Sequence, residues 1–95
     1  MAKIIVFGKK DFKGGNTQIY VDSVPTLKGS GLNDDVSSVI VLEGNWKLFE
    51  KAHFDPHGGV WGVKPNGGQD RDGAYKSYQD WRGQNNKISS IELVE

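Results

Sequence analysis

Six consecutive residues, Asn33-Asp34-Asp35-Val36-Ser37-Ser38, place amide, carboxylate and hydroxyl oxygens on one short turn. A similar pattern, without its carboxylates, returns 52 positions later as Asn85-Asn86-Lys87-Ile88-Ser89-Ser90. A hard cation takes roughly six to eight oxygens from carboxylates, amides, carbonyls and water, so these turns suit calcium. The chain has no cysteine and only two histidines, which leaves little for a softer metal to bind. One such turn alone is ordinary Asx-turn chemistry, with serine leading into the next strand. That account covers any single position but not two turns of matched spacing.

Other constellations carry less. His53-x-x-x-His57 has a spacing seen in zinc sites, but it spans Pro56 and has no evident third ligand, so two solvent-facing bend histidines are expected. Asp70-Arg71-Asp72-Gly73 resembles the start of a helix–loop–helix calcium loop, yet the closing position holds Trp81 rather than Glu and no helical pattern flanks it. There is no Ser/His/Asp arrangement, no thiol and no Gly-Lys-Ser/Thr phosphate loop, so no enzymatic activity is expected. Trp46 lies in a strand pattern and reads as core, and Trp61 and Trp81 read as core or loop anchors. An alternative function would use Trp61, Tyr75, Tyr78 and Trp81 to bind a carbohydrate or a protein.

The elements that must hold these turns are strands. The chain has 95 residues, enough for one domain, 1–95, with a small core. Twelve basic residues balance twelve acidic ones, which removes the electrostatic case for nucleic acid or an anionic membrane as partner. No apolar run approaches the roughly 18 residues of a membrane span. The apolar run at the start is too short for a signal peptide, and a small secreted domain more often carries disulfides, so the cytoplasm is favoured over secretion. A monomer is favoured over an oligomer. Thirteen glycines point to a turn-rich all-β protein. β-branched and alternating stretches predict strands over 3–7, 17–21, 36–42, 46–49, 60–63 and 88–94. Residues 73–82 offer one weak helical turn that reads more simply as loop.

The two turns belong to a larger internal repeat. Phe7-x-x-x-x-Phe12 recurs as Phe49-x-x-x-x-Phe54, an offset of 42, and Gly14-Gly15 recurs as Gly58-Gly59, an offset of 44. The second copy is therefore longer, mostly between Gly59 and Asn85. Each copy is too short to bury a sheet face alone, and two packed face to face make one sandwich. The first motif is expected over about 3–43 and the second over about 46–94, with a loop insertion over about 63–84.

These residues resemble the βγ-crystallin family, whose Greek key opens with aromatic-x-x-x-x-aromatic-x-Gly and closes with Asn/Asp-Asn/Asp-x-x-Ser/Thr-Ser. Phe7 to Gly14 fits the opening in full, and both copies fit the closing motif. With two complete signatures the chain is similar to the calcium-binding, spherulin-like single-domain branch of microbes and early metazoans. The resemblance implies a sandwich of two Greek keys, a structural, stress-related or calcium-buffering role, and a double clamp holding two calcium ions. By motif position, the first ion would take the Gly8 carbonyl, the Ser37 hydroxyl, the Asn86 side chain and the Lys87 carbonyl. The second would take the Glu50 carbonyl, the Ser89 hydroxyl, the Asp34 side chain and the Asp35 carbonyl. Only the second set includes a carboxylate side chain, so it is expected to be tighter, with affinities of roughly 10⁻⁶ to 10⁻³ M. One departure stands out: Pro56 holds the second hairpin's expected glycine position, which predicts an altered turn there. Gly14 in the first hairpin is expected at positive φ.

Overall fold

Alternation of buried and exposed side chains organises the chain into two antiparallel sheets and no α-helix among the described residues. The computed structural model describes residues 2–13, 16–33, 35–81, 83 and 88–94. Its strands are β1 (Lys3–Phe7), β2 (Thr17–Tyr20), β3 (Ser38–Glu43), β4 (Trp46–Phe49), β5 (Val60–Val63), β6 (Ala74–Tyr75) and β7 (Ser90–Leu93). Strands β1, β4 and β5 occupy the stretches that the sequence predicts. Strand β3 begins two residues late, because the Ser37 N–H turns back to the Phe7 carbonyl at 2.9 Å before the ladder starts. Residues 73–82 hold β6 and then a 3₁₀ turn, Tyr78–Trp81.

The all-β sandwich is the predicted fold, with one topological addition. One sheet runs in the order β2-β1-β3-β6 and the other β5-β4-β7. Strand β6 comes from the second motif but pairs with β3 of the first, Val39 opposite Tyr75 and Ile40 opposite Ala74. The first motif reciprocates at Val24, which bridges Ile91 of β7 through hydrogen bonds of 2.7 and 3.0 Å. Each copy thus lends its third segment to the other's sheet. Both exchanges cover a sheet edge whose N–H and C=O groups would otherwise lack partners.

The core lies between the sheets. Ile4 and Val6 of β1 and Val39 and Val41 of β3 face Trp46, Leu48, Val63 and Ile91 of the other sheet, all essentially buried. Leu27, Leu32, Val36 and Ile88 close the ends of this layer and are fully buried. Val36 and Ile88 are the apolar residues inside the two polar turns, so burying them fixes where each turn's oxygens sit.

Candidate metal centre

The two aromatic hairpins are built alike. The Phe7 and Phe12 rings meet edge to face at 5.5 Å, and Phe49 and Phe54 at 5.8 Å. Each bend places two non-glycine residues in the left-handed region: Asp11 and Phe12 at φ 57° and 58°, and His53 and Phe54 at φ 59° and 58°. Such a backbone costs on the order of 1–2 kcal/mol per residue and must be held by its surroundings.

What holds it is the last serine of each polar turn. The Ser38 hydroxyl accepts from the Phe12 N–H at 3.2 Å and donates to the Lys9 carbonyl at 2.6 Å. The Ser90 hydroxyl accepts from Phe54 at 3.2 Å and donates to Lys51 at 2.6 Å. Both serines are fully buried. They are therefore hairpin clasps, a role whose one sequence signal is the doubled serine in each motif. The altered turn expected at Pro56 lies beyond this point, where Asp55 Oδ1 caps the His57 N–H at 2.9 Å. Gly14 lies outside the described residues.

The preceding serines stand beside the hairpin starts. The Ser37 N–H donates to Phe7 at 2.9 Å, which sets Ser37 next to Gly8, and the Ser89 N–H donates to Phe49 at 2.8 Å, which sets Ser89 next to Glu50. Each pin sets one expected ligand residue beside another in the chain's fold, Ser37 by Gly8 and Ser89 by Glu50. Asp34, Asn86 and Lys87 lie outside the described residues. Asp35 shows something the sequence did not signal: a Cβ on Gly8 would stand 3.4 Å from Asp35 Oδ2, so this carboxylate lies against the first hairpin. Glu50 behaves differently. Its Oε1 accepts from the Gly59 N–H at 2.9 Å, while its own N–H donates to the Gly59 carbonyl at 2.8 Å.

The donor chemistry fits a hard cation. The expected donors are carbonyl, hydroxyl, amide and carboxylate oxygens, without nitrogen or sulfur, and no group of three or more His, Cys, Asp or Glu occurs among the described residues. His53 and His57 are exposed, as expected for bend histidines. The His57 ring lies 2.6 Å from Asp55 Oδ1. Its backbone N–H first, and its side chain second, hold the Asp55 carboxyl below the ordinary carboxylate value.

The aromatics of the long second-motif segment turn inward. Tyr75 and Trp81 are 4% and 5% exposed, with ring centroids 6.5 Å apart, and Trp61 and Tyr78 pack partly buried against the core. They serve as anchors, and no platform of exposed rings forms among them.

A family model described as Beta/Gamma crystallin matches residues 3–94. The chain belongs to the beta/gamma crystallin family. Among curated relatives, this crystallin domain is 33% identical over 92 residues to the beta/gamma-crystallin of Ciona intestinalis, covering 97% of this chain and 98% of that one. It is 30% identical over 89 residues to gamma-crystallin A of Bos taurus, covering 94% of this chain and 45% of that one. The domain spans about half the length of the vertebrate gamma-crystallins it matches. In three dimensions it is similar to the solved Ciona crystallin, with a TM-score of 0.81, 32% identity and coverage of 96% and 98%. An archaeal betagamma-crystallin structure gives a TM-score of 0.81 at 28% identity, covering 98% of each chain. These are structural crystallin-type domains. No helix of this chain is long and apolar enough to cross a membrane among the described residues.

Proposed function

We propose that this crystallin domain binds two calcium ions and uses them to brace the sandwich. The observation that supports the reading is the matched pair of backbone pins, Ser37 to Phe7 and Ser89 to Phe49, at 2.9 and 2.8 Å. Each pin holds a serine at a hairpin start, in a turn whose oxygen-rich sequence is repeated. The first ion would be held by the Gly8 carbonyl and Ser37 hydroxyl with Asn86 and Lys87, the second by the Glu50 carbonyl and Ser89 hydroxyl with Asp34 and Asp35. When bound, calcium supplies a charge-dense bridge between turns from the two motifs. Because the ion would bind the folded state, it stabilises by mass action, about 2.7 kcal/mol at a free concentration one hundred times Kd. The role is non-enzymatic: structural, protective under stress, or calcium-buffering, in the cell interior and as a monomer.

Calorimetric titration of the chelator-stripped protein, with melting curves in both states, tests this. Two binding events of unequal affinity and a raised melting temperature are expected. Absence of heat at millimolar Ca²⁺ would leave the repeated turns with a purely structural role.

A further inference from the structure

The described strands leave three sheet edges without a bridge: β2 and β6 in one sheet and β5 in the other. Open edges invite pairing with another chain, and folded proteins blunt them with short strands, lysine, proline, bulges or a covering segment. Strand β6 is only two residues long. Strand β5 carries Gly62 in its middle and meets Pro65 soon after its end. Its Trp61 is covered by Gly83, where a Cβ would stand 3.2 Å from the Trp61 ring. Strand β2 has no such guard. Its residues Thr17-Gln18-Ile19-Tyr20 include no charge, no proline and no glycine, and its register against β1 runs without a bulge.

The ladder fixes which groups of β2 point outward. The Gly8 N–H donates to the Asn16 carbonyl at 2.9 Å, and hydrogen-bonded and non-hydrogen-bonded pairs alternate from there. Gln18 opposite Val6 and Tyr20 opposite Ile4 are therefore bonded pairs, whereas Thr17 opposite Phe7 and Ile19 opposite Ile5 are not. The far side of β1 agrees, because Phe7 gives its carbonyl to the Ser37 N–H there. The N–H and C=O groups of Thr17 and Ile19 thus face away from β1, and no partner for them is present among the described residues. Thr17, Gln18 and Ile19 are exposed. Ile19, at 59%, is the most exposed large hydrophobic among the described residues.

We propose that this edge docks a second copy of the chain, β2 against β2, antiparallel about a twofold axis at Gln18. Thr17 of each copy then stands opposite Ile19 of the other. Each of these two pairs exchanges two hydrogen bonds, so every outward group of Thr17 and Ile19 is used. Charge favours this direction. Between positions 13 and 22 the only charged residues are Lys13 at the start and Asp22 at the end. Antiparallel docking sets the Lys13 end of each copy toward the Asp22 end of the other, whereas parallel docking would set like on like. Four strands from each copy become one continuous sheet. An edge this short buries less than the roughly 1,200 Å² of a stable interface, so Kd is on the order of 10⁻³ M. The domain is single when dilute and pairs when crowded.

Amide NMR shifts and translational diffusion of the intact chain, followed from about 10⁻⁵ to 10⁻³ M, test this. Slower diffusion and concentration-dependent shifts at Thr17 and Ile19 are expected, with Val60 and Gly62 of β5 unmoved. Ile19→Lys should weaken association about tenfold at an unchanged melting temperature, because the side chain is exposed and lysine blunts an edge. Thr17→Pro removes one outward N–H, leaves the ladder to β1 intact and should weaken association independently. Leu42→Lys, at a position 53% exposed on the same outer face but two strands away, should leave association as it was. The proposal is overturned by diffusion that does not change with concentration, by shifts centred on β5, by undiminished association in the folded Ile19→Lys or Thr17→Pro variant, or by an equal loss in Leu42→Lys.

Discussion

The two hairpins share a backbone but differ in where they keep their carboxylates. Both bends carry paired left-handed residues, an edge-to-face phenylalanine pair and a serine clasp, with matching distances. Position by position the side chains diverge. Where the first hairpin has Gly8, the second has Glu50. The missing side chain at Gly8 leaves room for the Asp35 carboxylate to approach from the polar turn. Glu50 instead folds its own carboxylate onto the Gly59 N–H and spends it on the hairpin. Repeated geometry therefore preserves the hairpin frame, while single positions decide where each carboxylate goes.

The comparison is tested most severely at the clasps. Ser38→Ala and Ser90→Ala each leave a part-buried N–H and a part-buried carbonyl without their partner, so each should destabilise by about 1–2 kcal/mol in urea unfolding. Equal losses would make the symmetry energetic as well as geometric, and a clear inequality would break it. Next comes Asp34→Ala, which should weaken the second ion's calorimetric step about tenfold, while Asp35→Ala, whose carbonyl is assigned to that ion but whose carboxylate lies beside Gly8, should weaken the first step by less. If Asp35→Ala leaves both steps unaltered, the carboxylate beside Gly8 takes no part in the centre. A smaller effect is expected from Glu50→Ala, a loss of about 1 kcal/mol from the orphaned Gly59 N–H. Gly8→Ala should be close to neutral in the same measurement, since its new Cβ would meet neighbours at ordinary contact distances of 3.4–3.5 Å.

The smallest difference is acid sensitivity. The His57 N–H and ring hold Asp55 below its ordinary value in the folded state. Its contribution is therefore present above the unfolded-state value and lost as pH falls through the folded one. Melting curves below about pH 4 should show Asp55→Asn losing part of the acid dependence that the unaltered protein has. The equivalent substitution in the first hairpin, Lys13→Asn, should leave that dependence as it was.

The strand at 46–49 was legible from its alternation, the imprint of a half-buried pleat, and those at 3–7 and 60–63 from β-branched and aromatic residues. The repeat exposed the paired turns, whose serines Ser37 and Ser89 donate their N–H groups to Phe7 and Phe49. Strand β6 was not legible, since two residues, Ala74 and Tyr75, carry no period; its stretch read as inserted loop. Nor was the exchange of third segments visible, because no local pattern says which sheet a short strand joins. The left-handed conformations of Phe12 and Phe54 were hidden for a related reason. Tertiary hydrogen bonds from Ser38 and Ser90 impose them against the residues' own preference. The aromatics at 75 and 81 suggested a binding face, whereas burial against the core claimed them first.

The exchange of third segments also sets an order of events during synthesis. Val24 finds its partner in Ile91, and the Leu93 N–H reaches the Ser23 hydroxyl across 70 residues of chain. The first sheet cannot gain its fourth strand until Tyr75 has emerged from the ribosome, and the second cannot be sealed until Ile91 has. Each sheet therefore keeps an open strand edge until the second motif supplies its partner, Tyr75 for the first and Ile91 for the second.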